Sequence, residues 1–269
     1  MASQPTGSLN SGLILSCSTL TFSRLSLGEA LSEVKKIGFR YVDLGMVEGW
    51  AHVSPSRVLG DTDSVVREVE GELERAGLSP VTANVGFGRC TQEERAERFA
   101  AVCEFAARVG VPLLTLAPTG GTAEEQAKEL RVRLPVAARY GIALTVETHR
   151  KSVTETPEQA MEVCRLAPGA GLTWDPTHFL IATGTWRPPA ELLRFVKHVH
   201  IRDSGRSDAE IQVGVGRGAI PHHDVIALLL GAGYVGAIST EVIDSIGDLD
   251  SAAETSALVR VMRDEGVSQ

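Results

Sequence analysis

Four side chains able to bind a metal ion stand at the ends of consecutive short apolar runs. Ala-Leu-Thr-Val-Glu ends at Glu147, Gly-Leu-Thr-Trp-Asp at Asp175 and Ala-Ile-Ser-Thr-Glu at Glu241, while His-Val-His-Ile-Arg-Asp carries His200. A carboxylate at the end of a buried apolar strand is costly unless it is paired or ligating. Taken singly, each could cap the following helix or meet an arginine. Taken together, two glutamates, an aspartate and an imidazole form a hard, oxygen-rich donor set suited to one Mn²⁺, Mg²⁺, Co²⁺ or Zn²⁺. A metal held against vicinal hydroxyl and carbonyl oxygens polarises the carbonyl and stabilises a developing enediolate. A carboxylate can then take the proton α to the carbonyl and another group can return it. Glu147 and Glu241, coming from different sides of such a site, are the expected catalytic acid/base pair as well as ligands.

The elements that must position these residues alternate along the whole chain. Strands are expected at Leu13–Ser18, Tyr41–Leu44, Ser79–Asn84, Leu113–Ala117, Ala143–Glu147, Gly171–Trp174, Val196–Ile201 and Ala237–Glu241. Each is short and apolar, as in a parallel sheet covered on both faces. Helices are expected over 27–37, 61–76, 91–109, 122–140, 156–166, 188–194, 221–232 and 248–264. Thr91 with Glu94 and Thr122 with Glu125 read as capping boxes, and Thr156-Pro157 as an N-cap followed by proline. Glycines 38, 77, 110, 141 and 233 follow helices, where a left-handed residue is wanted. Repeated βα units allow an open doubly wound sheet or a closed barrel. The first strand leads into Cys17-Ser18-Thr19-Leu20-Thr21-Phe22, without the glycine-rich phosphate loop of the open sheet. The expected fold is therefore a single-domain (β/α)8 TIM barrel over residues 12–269, preceded by a disordered lead-in over residues 1–11. In such a barrel the strand ends converge on one mouth, where active sites lie.

The chain has 269 residues, 43% hydrophobic, and a formal net charge of −8. That balance gives no electrostatic reason to expect nucleic acid or an anionic membrane as partner. No run approaches the ~18 apolar residues of a membrane span, and the polar start lacks the core of a secretory signal; cytoplasm is the default location. The cysteines at 17, 90, 103 and 164 match no paired zinc pattern. Cys103 and Cys164 fall within apolar helical patterns and read as buried. The expected partner is a small molecule, and a homo-oligomer is admitted because barrels often pair.

The chain resembles the xylose-isomerase-like superfamily of metal-dependent sugar and sugar-phosphate isomerases and epimerases, which includes endonuclease IV. The resemblance runs from ALSEVKKIGFRYVDL through AISTEVID, and its specific parts are VETH, WDPTH, HVHIRD and GVGRGAI followed by GYVGAISTE. It implies that Glu147, Asp175, His200 and Glu241 bind the metal. It also implies that His178, in Asp175-Pro176-Thr177-His178, contacts substrate, as does Arg206, six positions beyond the metal histidine. His149 is expected to touch substrate or back the ligands, and Gln212 to add a hydrogen bond near the metal. Trp186, in a proline-flanked loop, is expected to form an apolar wall or lid with Phe22, whereas Trp174 reads as core. Arg202 and Asp203 read as a local ion pair, and His222-His223 as helix-start residues that point apart.

Two departures narrow the family. The DNA-repair branch has a histidine before proline where this chain has Ala117, and its Asp-x-His pair falls on Glu210-Ile211-Gln212, which argues against abasic-site cleavage. The ketose 3-epimerases carry Glu-x-x-Asn-Arg-x-Glu after strand five, whereas here the second glutamate is Val153. The resemblance also fits lyases similar to 3-dehydroshikimate dehydratase or to C-glycoside-cleaving enzymes. A non-catalytic sugar-binding barrel is the remaining reading, and no feature of the sequence favours it.

Overall fold

A computed structural model describes residues 12–267; the expected lead-in over 1–11 lies outside the described residues. Eight parallel strands form the barrel: β1 (Ile14–Ser18), β2 (Tyr41–Val47), β3 (Ser79–Gly86), β4 (Leu113–Leu116), β5 (Ala143–Glu147), β6 (Gly171–Trp174), β7 (Val196–Ile201) and β8 (Ala237–Thr240). Each pairs with its neighbour in chain order. The sheet closes because β1 pairs on one edge with β2, Ser16 opposite Tyr41, and on the other with β8, Ile14 opposite Ala237. The chain is a closed (β/α)8 barrel, as the alternation of elements predicts.

The helix start signals act as read. Thr91 Oγ1 accepts from the Glu94 N–H while Glu94 accepts from the Thr91 N–H, and Thr122 with Glu125 repeats the arrangement. Gly38 and Gly110 end their helices at φ 103° and 81°, a conformation in which a Cβ would be strained. Two helices were not expected. Pro55–Gly60 follows Ser54, and Pro176–Thr183 follows Asp175, which caps it by accepting from the Thr177 N–H at 2.8 Å. Both begin with the N-cap and proline signal. The second is buried over its first five residues, polar Thr177 and His178 included, so it lacks the amphipathic period that marks a surface helix. A two-residue strand, Ala51–His52, folds back antiparallel on the end of β2.

The apolar core lies mainly between the strands and the surrounding helices, with Trp174, Phe39, Phe99, Phe105 and Phe179 among its largest buried members. Inside the barrel, hydroxyls take part of the space that branched aliphatic residues commonly fill. Thr173 Oγ1 meets the hydroxyls of Thr115 and Thr145, each at 2.8 Å, and Ser16 meets Ser239 at 2.6 Å. These groups satisfy one another, which is the condition for burying them. The polar layer lies beneath the charged one at the mouth.

All four cysteines are free, and Cys17, Cys103 and Cys164 are buried. Burial pushes the Cys103 and Cys164 thiols up to about 12 and the Cys17 thiol up to about 11. At pH 8 a thiol with pKa 12 is ionised in only about one molecule in 10⁴, and the thiolate is the reactive form. A disulfide reagent added to the native protein is expected to titrate only Cys90 rapidly, and all four thiols after denaturation. Rapid reaction of more than one native thiol would contradict this packing.

Candidate metal centre and active site

The mouth is a cavity of 540 Å³ at the carboxyl ends of the strands. Glu147, His149, His178, Arg202 and Glu241 line one part of it, and Leu20, Val47, Trp50, Ile243 and Ile246 another. Apart from the exposed Trp50, the apolar side belongs to a small cluster separate from the main core, in which Leu20 and Ile243 pack with Ala51, and Val47 and Ile246 lie against them.

Backbone pairing aims the ligands. Glu147 ends β5; its carbonyl accepts from Thr154 Oγ1 at 2.6 Å, so the chain folds back immediately beyond the strand. Thr148 Oγ1 accepts from the Asp175 N–H at 2.9 Å, tying the end of β5 to that of β6. The Glu241 N–H donates to the Ile201 carbonyl at 3.0 Å, which extends the β7–β8 pairing one residue past the strand. Glu147, Asp175, His200 and Glu241 are all buried.

Three of the four expected ligands converge. Ligand atoms of Glu147, His200 and Glu241 lie within 4.8 Å of one another, and so do those of Glu147, Asp175 and His178. Glu147 belongs to both groups. His200 Nδ1 is 2.9 Å from Glu147 Oε1 and 3.6 Å from Glu241 Oε1. Asp175 stands one step aside because Arg202 Nη2 holds its Oδ2 at 2.5 Å. Arg202 Nη1 also meets Glu241 Oε2 at 3.2 Å. The expected local pair of Arg202 with Asp203 is therefore corrected: Arg202 turns into the mouth. Asp203 instead accepts backbone N–H bonds from Ser204, Gly216 and Gly218 at 2.9, 2.8 and 3.1 Å and shapes the loop after β7.

The remaining expected contacts divide. His149 and His178 line the cavity with their rings 4.0 Å apart. Burial, then the Arg202 charge, pushes His178 well below the usual histidine range, so it faces the mouth as a neutral imidazole. Arg206, Gln212, Trp186 and Phe22 do not line the cavity. Arg206 is exposed and donates to the Gly184 carbonyl at 3.0 Å. Gln212 braces the loop after β8, donating to the carbonyls of Ile243 and Ile246 and accepting the Ile243 N–H at 2.7 Å. Trp186 packs against the main core, and Phe22 is part of it. His222 is buried whereas His223 pairs with Glu265 at the surface, so the two point apart as expected.

Two buried groups escape a reading confined to strand ends. Asp43 lies inside β2, and its Oδ2 is 2.9 Å from His200 Nε2. Asn84, on β3, donates to Glu241 Oε1 at 3.5 Å.

The donor chemistry fits a divalent cation. Of four buried carboxyl groups, Asp175 and Glu241 meet the permanently charged Arg202, while the nearest cationic partner of Asp43 and of Glu147 is the titratable ring of His200. Burial, with Glu147 and Asp175 nearby, pushes the Glu241 carboxyl up to about 7 despite His200 and Arg202. Burial acts on Glu147 in the same direction, but the His200 hydrogen bond and charge outweigh it and hold that group at about 2. His200 is raised well above its ordinary value because Glu241, Asp43 and Glu147 surround it and overcome burial. A centre that keeps a histidine protonated and a glutamic acid near neutrality has room for added positive charge.

The family described as xylose isomerase-like TIM barrel matches residues 31–265. This chain belongs to that family. Among solved structures, the xylose isomerase-like barrel is similar to a D-tagatose 3-epimerase-like protein, with 17% identity, 93% of this chain and 97% of the other covered, and a TM-score of 0.72. It is also similar to 3-keto-D-glucoside 4-epimerase from E. coli, with 18% identity, 94% and 99% coverage and a TM-score of 0.69. A third similar structure is a probable 3-DHS dehydratase from Bacillus anthracis, with 13% identity, 93% and 98% coverage and a TM-score of 0.72. At these identities the likeness is one of fold. No curated protein matches the chain. Among the described residues, no helix is long and apolar enough to cross a membrane.

Proposed function

We propose that this family member is a divalent-metal-dependent isomerase or epimerase of a small sugar, sugar phosphate or related hydroxycarbonyl compound, acting through an enediolate. A cytoplasmic location goes with this reading. The observation that carries it is the meeting of Glu147, His200 and Glu241 beside an open 540 Å³ cavity that the two glutamates line. Glu147, Asp175, His200 and Glu241 would hold the ion. When bound, it would polarise the substrate carbonyl and favour negative charge on its oxygen.

The chain's own residues supply the rest. Glu147 and Glu241 approach from β5 and β8, so a substrate between them presents a different side to each carboxyl group. One takes the proton α to the carbonyl; the other returns it, to the neighbouring carbon for isomerisation or to the same carbon from the opposite face for epimerisation. His178 and His149 offer imidazole nitrogens to substrate oxygens, and Arg202 holds the Asp175 and Glu241 carboxyl groups in place beside them. Leu20, Val47, Trp50, Ile243 and Ile246 give the cavity an apolar surface against which the non-polar part of a substrate would pack.

A metal-dependent lyase remains the second reading, supported by one position. Val153 stands where the ketose 3-epimerases carry their second glutamate, and it is buried in the main core. The same proton abstraction followed by loss of water would make the chain a dehydratase. Incubation in D₂O tests both readings. The protein, loaded in turn with Mn²⁺, Mg²⁺, Co²⁺ and Zn²⁺, is offered free ketoses, their phosphates, 3-keto-glycosides and dehydroshikimate. At least one compound is expected to exchange its α-proton; an elimination product would select the lyase. Absence of exchange with every metal and compound would remove this substrate class.

A further inference from the structure

We propose that Asp43 is a positioning residue for the metal centre: it accepts the Nε2–H of His200 and thereby turns Nδ1 of the same ring toward Glu147 and Glu241. This rests on the reading of Glu147, His200 and Glu241 as ligands, and it adds a residue outside the expected donor set. Asp43 sits on β2 and His200 on β7, strands that are not neighbours in the barrel, so the contact crosses its interior. Both side chains are fully buried. Asp43 Oδ2 is 2.9 Å from His200 Nε2, and on the other side of the ring Nδ1 is 2.9 Å from Glu147 Oε1. A second histidine, His198, places its Nε2 3.6 Å from the same Asp43 oxygen, and Thr82 Oγ1 lies 3.5 Å from that nitrogen.

The chemistry follows from the two nitrogens of the ring. An imidazole ligates through a bare nitrogen, and a carboxylate hydrogen-bonded to the opposite N–H fixes which nitrogen is bare. It also makes that nitrogen a better donor. Asp43 is a costly buried carboxylate whose contacts go to His200 and His198, so its placement has a purpose only through those rings. Both rings approach the same oxygen, Oδ2, so the carboxylate is turned toward β7, the strand that carries both histidines. The register of β2 enforces the arrangement: Asp43 pairs with Ser18 on β1 and Thr82 on β3, which fixes the height of its Cα in the barrel.

The test joins metal titration to histidine NMR. Wild-type protein, stripped with chelator, is expected to bind one Mn²⁺ per chain, and ¹⁵N-histidine spectra of the Zn²⁺-loaded protein are expected to show His200 protonated at Nε2 and bare at Nδ1. The His200 signals are assigned by their loss in His200→Gln. Asp43→Asn keeps the shape and removes the charge; its Mn²⁺ affinity is expected to fall by about 10–100-fold, the range for such partners of a ligating histidine. Wild-type His200 protonated at Nδ1 overturns the proposal without needing any variant. A folded Asp43→Asn with affinity within twofold of wild type also overturns it. So does binding of two ions per chain with one lost in Asp43→Asn, which would make Asp43 a ligand. If the wild type binds no divalent ion, the ligand reading itself fails, a result separable from each of these.

Discussion

Glu147→Gln and Glu241→Gln, each assayed at saturating metal on whichever substrate exchanges in D₂O, are expected to lower turnover by roughly 10²–10⁴-fold, the usual contribution of a positioned acid or base. The amide keeps the shape of the side chain but can neither accept nor release the proton. Both positions are also expected ligands, so metal affinity falls too, and saturation must be shown for each variant before turnover is compared. The two losses have different signatures in deuterium exchange. The variant lacking the proton-abstracting carboxylate loses exchange and turnover together. The variant lacking the returning acid still washes the α-proton into solvent while product formation fails. Full turnover in either variant removes that residue from proton transfer. Retained secondary structure in both is expected, because the barrel closes through backbone pairing and apolar packing that neither carboxyl group touches.

Much of this centre is legible in the chain because a parallel barrel turns linear order into spatial convergence. Glu147, Asp175 and Glu241 each follow four apolar or hydroxyl residues, and in a closed sheet those ends meet at one mouth. The capping boxes at Thr91 and Thr122 are local and need no tertiary information. Asp43 escapes for a physical reason. It lies within Tyr-Val-Asp-Leu-Gly rather than at a strand end, and its partner His200 is 157 residues away. Only the radius of the barrel brings them together. In the sequence Arg202 reads as the partner of its neighbour Asp203, but successive residues leaving a strand face opposite ways. One enters the mouth while the other organises the loop behind it. Arg206, Gln212 and Trp186 sit in long loops after β6 and β7, where the backbone path, which no periodicity encodes, decides whether a side chain reaches the cavity. Gln212 shows the outcome: its amide is consumed by the backbone of Ile243 and Ile246.

Arg202→Ala carries the largest expected effect on stability. The guanidinium is buried and bonded to Asp175 and Glu241, and its removal leaves both carboxylates in a water-poor interior without their partner. Breaking a buried pair in this way costs about 3–5 kcal/mol. At roughly 2–4 °C per kcal/mol for a chain of this size, the melting temperature in chelator is expected to drop by about 6–20 °C. Arg202→Lys keeps the charge but loses the fork that reaches two carboxylates at once, so it should recover only part of the loss. The metal-loaded proteins separate two roles for the arginine. If its charge and that of the ion serve the same carboxylates, saturating metal stabilises Arg202→Ala by more degrees than it stabilises wild type, because the ion meets a larger unmet demand. If instead the arginine holds Asp175 and Glu241 in place for the ion, metal stabilises wild type and leaves Arg202→Ala unmoved. The first outcome is expected, since Arg202 Nη2 occupies the very oxygen of Asp175 that faces away from the capped helix. A melting temperature in chelator within 2 °C of wild type would mean that neither carboxylate depends on this guanidinium.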